Sequence, residues 1–165
     1  MGEWEMRSEI RWAYGDKITT AQIEHVEQHF KVKFPKSYVD IVLEHDESNP
    51  KLQNEAGDWM DGVVDTPPIG PSGVCFISFK VQNNGYRTFL PMISDYESVQ
   101  NWRDNLGFVI PFAENGGGDV FLFDYRENME EPGVLFLDHE DPERILHPIA
   151  GSFDEFLDLL YPDDE

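Results

Sequence analysis

The sequence predicts an α+β fold in which a mainly antiparallel sheet of about five to six strands is flanked by helices. Three observations carry that expectation. Helical spacing of apolar residues is concentrated near the two ends of the chain, with two helices early, one short helix in the middle and one helix at the close. Period-two or continuous apolar runs fill the stretch from Val74 to Ile149, punctuated by Asn, Gly and Pro. Helices and strands do not alternate, so βαβ units and a parallel sheet are not expected.

The first helix is placed at Thr20–Phe30. Thr19 and Gln22 have the spacing of a capping box, and Ile23, Val26 and Phe30 recur on one face. Lys31–Phe34 is a short connection, and Pro35 sits where a second helix starts, a position that tolerates a missing N–H. Tyr38, Ile41, Val42 and His45 share a face of that helix, which is expected to end near Glu47. From Ser48 to Gly73 periodicity fades into Asn, Asp, Gly and Pro, so a long loop is predicted around Trp59 and Met60. Val74–Val81 reads as a strand, joined across Asn83-Asn84-Gly85 to a partner at Tyr86–Met92. Ser94 with Glu97 marks another capping box, opening a short helix to about Leu106. Gly107–Phe112 and Asp119–Tyr125 form a hairpin across three glycines, followed by strands at Val134–Asp138 and Ile145–Ile149. Ser152 caps a last helix whose Phe153, Phe156, Leu157 and Leu160 lie on one side.

At 165 residues, with 40% apolar and 13% aromatic side chains, the chain is long and apolar enough for one globular domain over 1–165, with its core at about 18–161. Thirty-three acids against twelve Lys and Arg give a net charge of −21. The excess is uneven: residues 119–165 hold fifteen acidic and two basic side chains, a net of −13. Such a surface repels phosphate backbones and anionic lipid, so neither nucleic acid nor membrane is an expected partner. Cys75 is the one cysteine, and in its apolar strand it reads as a small buried hydrophobe. The opening MGEWEMRSEIRW has no apolar run of signal-peptide length, so a cytoplasmic location is expected.

No motif supplies chemistry. Asn115-Gly116-Gly117-Gly118-Asp119 lacks the Gly-Lys-Ser/Thr of a phosphate loop and leads into a strand, as a hairpin turn does. His25 and His29 have metal-ligand spacing on a helix, but Val26 stands where a zinc protease needs Glu, and both read as solvated positions. His45-Asp46-Glu47 and Asp138-His139-Glu140-Asp141 have ligand-type side chains without ligand spacing, so loop and helix-end solvation is the expectation. Gly70-Pro71-Ser72-Gly73-Val74 approaches a nucleophile elbow but lacks its final glycine and precedes a strand. Asp154 and Asp158 repel one another four residues apart on the last helix, a one-signed face suited to solvent or to a basic partner. No catalytic residue, metal site or cofactor is predicted.

Three segments together resemble the SUKH superfamily, the SMI/KNR-like group of fungal cell-wall regulators and bacterial immunity proteins. Ile18–Val42 (ITTAQIEHVEQHFKVKFPKSYVDIV) is similar to its opening helix, Phe-Pro step and second helix. Val109–Asp124 (VIPFAENGGGDVFLFD) resembles its Ile-Pro-Phe-Ala strand, Gly-Gly-Asp turn and next strand. Ala150–Leu160 (AGSFDEFLDLL) resembles its closing helix. The chain departs after the second helix, where Asp46-Glu47-Ser48-Asn49-Pro50 replaces an Asn-Gly-Gly turn.

The resemblance implies an α+β fold and a non-enzymatic protein that binds and neutralises a cognate toxin. The acidity suits a basic, nuclease-type toxin domain. The alternatives are a regulatory or scaffold protein binding a cellular partner, and an acid-rich metal-dependent hydrolase. Acids beside an aromatic make the expected partner surface Asp58, Trp59, Asp61 and Asp65, with a sheet-covering role for Trp59 as the structural alternative.

Overall fold

The computed structural model describes residues 9–67, 69–102 and 106–164. The first eight residues, which carry most of the segment read above as no signal peptide, lie outside the described residues. A short strand, β1 (Arg11–Ala13), precedes two helices, α1 (Thr20–Phe30) and α2 (Lys36–Glu44). Next come β2 (Asn49–Gln53), β3 (Trp59–Thr66), β4 (Gly70–Gly73) and β5 (Cys75–Phe76). A small pair, β6 (Gln82–Asn83) and β7 (Thr88–Phe89), leads to α3 (Pro91–Trp102). Strands β8 (Val109–Glu114), β9 (Val120–Asp124), β10 (Gly133–Leu137) and β11 (Leu146–Ala150) form a meander. The helix α4 (Phe153–Asp158) and strand β12 (Tyr161–Pro162) follow.

The α+β class and antiparallel pairing are as expected, but the strands divide between two five-stranded sheets. One runs β1-β2-β3-β12, with β4 also on β3, and the other runs β11-β10-β9-β8-β5. The second sheet is covered on both faces, which explains its nearly unbroken apolar runs. Ile110, Phe121, Phe123, Val134 and Phe136 point to the cluster that holds α1, α2 and α4. Val109, Leu122, Leu135 and Leu137 point the other way, to Val99 of α3. At the centre Phe112 stacks on Phe123 with ring centroids 4.1 Å apart, and Tyr38 meets Phe123 edge-on at 5.0 Å.

The capping box at Thr19 is present: its Oγ1 accepts from the Gln22 N–H, and Gln22 Oε1 accepts from the Thr19 N–H. The connection to α2 is tied by buried Glu27, whose carboxylate accepts from the Phe34 N–H at 2.8 Å. The Tyr125 hydroxyl donates to the Lys33 carbonyl at 2.9 Å, fixing the same link to the second sheet. Helix α2 ends at Glu44 rather than near Glu47, because His45 leaves helical geometry and the chain turns inward at Asp46. That carboxylate is fully buried; it accepts from the Ser78 hydroxyl at 2.6 Å and from the Phe79 N–H at 2.9 Å. Its own N–H donates to the Asp16 carbonyl at 2.9 Å. Gly15 passes so close that a Cβ there would lie 2.3 Å from the Asp46 carbonyl oxygen.

Four expectations are corrected. Ser48–Gly73 is not a long loop but holds β2, β3 and β4. Its strands are marked only by sparse inward residues, Pro50 and Leu52 in β2 and Val64 and Thr66 in β3, with Val63 buried on the opposite face, among polar neighbours. Val74–Val81 does not pair with Tyr86–Met92: only Cys75–Phe76 forms a ladder, with β8, while the Asn84-Gly85 turn closes the separate β6–β7 pair. The physical reason is Asp46, which takes the Phe79 N–H that a continued ladder would use and holds the neighbouring Ser78 hydroxyl as well. Helix α3 starts at Pro91, so Ser94 is inside it and accepts from Arg87 at 2.9 Å instead of capping; its expected end near Leu106 borders residues 103–105, outside the description. Cys75 is exposed, because its strand alternates outward at that position.

The Tyr38 hydroxyl is completely buried and has no hydrogen-bond partner among the described residues, and burial drives its pKa well up. Tyr38→Phe therefore removes an unsatisfied polar atom and is expected to raise stability by about 1 kcal/mol in urea unfolding. Asp46→Ala strands two buried donors and is expected to cost about 3 kcal/mol or more in the same assay.

Candidate functional site

Trp59, Asp61 and Asp65 occupy alternate positions of β3 and so share one face of the first sheet. Asp58 lies just before them in the turn, its N–H bound to Asn54 Oδ1 at 2.9 Å. The sequence named these four residues together but missed the cations beside them. Antiparallel pairing sets Arg11 opposite Lys51 and Lys51 opposite Asp61. The Arg11 guanidinium lies 3.9 Å over the half-buried Trp59 ring, and Lys51 forms an ion pair with Asp61. Asp65 accepts from the Tyr161 hydroxyl, and this bond, ahead of the slight burial, pushes the phenol up to about 12. The face thus presents an aromatic framed by charges of both signs.

Beside it, between the sheets, Asp61, Cys75, Glu114 and Asp163 line a cleft of about 280 Å³. Burial, then the charge of Glu47, pushes Glu114 up. Burial, then Glu114 and Glu47, pushes the Cys75 thiol up, so the thiol stays protonated and is a poor nucleophile. Asp95 on α3 is raised to about 6 by burial and then by Glu114.

One cluster emerges that sequence spacing did not reveal. Val120 pairs with Leu137, which brings Asp119 alongside Asp138 and His139. Three ligand-type atoms from these residues lie within 4.8 Å of one another. The carboxylate of Asp119 is already occupied: His139 Nδ1 lies 2.7 Å from Oδ1, the His139 N–H donates to the same oxygen, and Asn115 Nδ2 donates to Oδ2 at 3.0 Å. Burial opposes its ionisation, but the hydrogen bonds from Asn115 and His139 outweigh that and hold its pKa below the usual range. Gly118, at φ +99°, lets the glycine turn reach this pair, since a Cβ there would meet the His139 ring at 3.2 Å. Ser72 joins through Asn115, whose Nδ2 donates to its hydroxyl at 2.9 Å. Serine, histidine and aspartate are thus linked, but through an amide instead of a histidine-to-serine hydrogen bond. The arrangement locks the β8–β9 turn to the end of β10 and does not activate a nucleophile.

His25 and His29 are exposed on α1, as solvated positions are. The acids of the C-terminal stretch face outward. Of the fourteen described between residues 119 and 164, only Asp119 is buried. The two cations there are locally engaged: Arg126 pairs with Asp124 at 2.8 Å, and Arg144 donates to the carbonyls of His139 and Asp141. Among the described residues no helix is long and apolar enough to cross a membrane.

Asp95 generates a pH test. Between the ordinary carboxylate range and about pH 6 the folded chain holds a proton that the unfolded chain has released. Stability from this group therefore falls as pH rises through that window and stays level above it. Asp95→Asn is expected to stabilise by about 1–2 kcal/mol at pH 7, allowing for solvent screening, and to have no such effect below about pH 4, as read by urea unfolding at both values.

A model of the SMI1 / KNR4 family (SUKH-1) matches residues 17–159. No curated protein matches the chain.

Proposed function

The chain belongs to the SMI1 / KNR4 family (SUKH-1), and we propose that it is a non-enzymatic immunity protein that binds a cognate toxin and blocks its action. The family includes immunity proteins and is generally non-enzymatic. The observation that carries the proposal is the outward placement of the C-terminal acids, with Arg126 and Arg144 engaged in local contacts. A charge excess that leaves the core untouched is available to a partner.

The partner class follows from the sign of that charge. A toxin domain that cuts nucleic acid needs cations where phosphates lie, and outward carboxylates compete for the same groups. Attraction of this kind accelerates encounter and fixes orientation, while apolar contacts set the lifetime of the complex. The Trp59 face offers an aromatic anchor with Asp58, Asp61 and Asp65 around it. A chemistry-free role agrees with the raised Cys75 thiol and with the bonded Asp119–His139 pair.

If a toxin is encoded beside the gene, it is the natural test object. Cells producing it are expected to survive when this chain is co-expressed; equal killing with and without the chain overturns the immunity reading. With the purified pair, the association rate is expected to fall about tenfold or more between low and high salt. A rate indifferent to salt removes the basic-partner assignment.

A further inference from the structure

A second surface lies away from the Trp59 face, where the N-terminal ends of α2 and α4 approach the loop before β10. Together they enclose a cavity of about 770 Å³. Buried Phe153 and Pro132 and half-buried Pro35 give it apolar walls. Asp40, Glu130, Glu131 and Asp154 also line it, the first three exposed. Among the described residues Lys36 is the one cation in the lining, and its ammonium is 2.9 Å from Asp40, so four carboxylates face a single ammonium.

Two further details describe what this shape accepts. Among the described residues no side chain caps α2, whose N-cap is Pro35, so its first-turn N–H groups meet no side-chain acceptor there. Lys36 and Ser37, which carry two of them, line the cavity. The acidic loop is also held in place: Asn128 Oδ1 accepts from the N–H groups of Glu130 at 2.9 Å and Glu131 at 3.0 Å. A pre-set acidic rim, apolar walls and unmatched backbone donors match an extended peptide better than a lone cation. The donors suit peptide carbonyls, the walls suit a methylene stem, and the rim suits an ammonium or guanidinium.

We propose that this groove receives an extended basic segment of the protein partner, with a Lys or Arg side chain laid along the half-buried Pro35 and its charge among Asp40, Glu130, Glu131 and Asp154. The assignment rests on the reading of a basic partner and adds the place where its chain enters. A phosphorylated or acidic segment is disfavoured, because it would meet the same four carboxylates.

The test uses the full chain and a five-residue peptide of alternating glycine and lysine, followed by amide chemical shifts. Saturable shifts confined to residues 35–40, 128–132 and 152–154 are expected, and a lysine-acetylated twin is expected not to bind. Because Glu130 and Glu131 are exposed loop residues, E130Q/E131Q should fold normally and weaken binding about fivefold. D58N/D61N/D65N on the Trp59 face should leave it unchanged. Shifts spread over the acidic surface, equal binding of the acetylated peptide, or equal losses in both variants overturn the groove. The two readings fail separately. Salt-sensitive toxin binding untouched by E130Q/E131Q rejects the groove but keeps the basic partner. Salt-indifferent toxin binding rejects the basic partner whatever the peptide does.

Discussion

The architecture hangs on one fully buried carboxylate. Asp46 stands where α2 ends, and its two oxygens satisfy Ser78 and Phe79 while its N–H holds Asp16. A buried carboxylate is tolerated only when its lone pairs are used, and here strong donors use them. Three separate parts of the chain are thereby fixed to one point: the N-terminal segment, the end of α2 and the stretch that follows β5. Neighbouring Ser48 reinforces the junction, donating to the Ala13 carbonyl while its own carbonyl accepts from Phe76. The stretch that departs from the Asn-Gly-Gly turn of the SUKH pattern is thus the junction itself. What replaces a flexible turn is a set of buried polar bonds.

This arrangement explains how so acidic a chain folds. Repulsion among surface charges acts over distance and is screened by salt, whereas the aromatic core acts at contact. Tyr38 is ringed by Phe34, Phe76, Phe112, Phe123 and Phe153, and these rings come from both N-terminal and C-terminal halves. Apolar closure at the centre leaves the periphery free to carry a one-signed excess. Charge and scaffold are separable, and substitutions at the rim act mainly on recognition.

Sequence reading succeeded where a local rule was strong. Thr19 and Gln22 announced α1, Ser152 announced α4, and Asn115 to Asp119 announced the β8–β9 turn, because each signal is complete within a few residues. It failed where the deciding partner was remote. Nothing near Ser78 reveals that Asp46 takes its hydroxyl from 32 positions away. Strands β2 and β3 were hidden because Asn49, Lys51, Gln53, Asp61 and Asp65 face outward, diluting the apolar signal that Leu52, Val63 and Val64 supply. The Trp59 patch was legible as a cluster, but not its charge balance, since Arg11 and Lys51 arrive only through the pairing of three strands. Asp119 and His139 likewise needed the register of β9 against β10.

The margins of both sheets have a bearing on recognition. In the first, β1 is three residues long and β4 carries Pro71; in the second, β5 is two residues long and β11 carries Pro148. Proline offers no N–H, and a strand of two or three residues offers too few bonds for docking. Another protein therefore gains little by adding a strand of its own to either margin. Strand addition, which is indifferent to side-chain identity, is closed off at these margins. Affinity at the sheet edges has to be written in side chains, where a single codon change can revise it without disturbing the frame beneath.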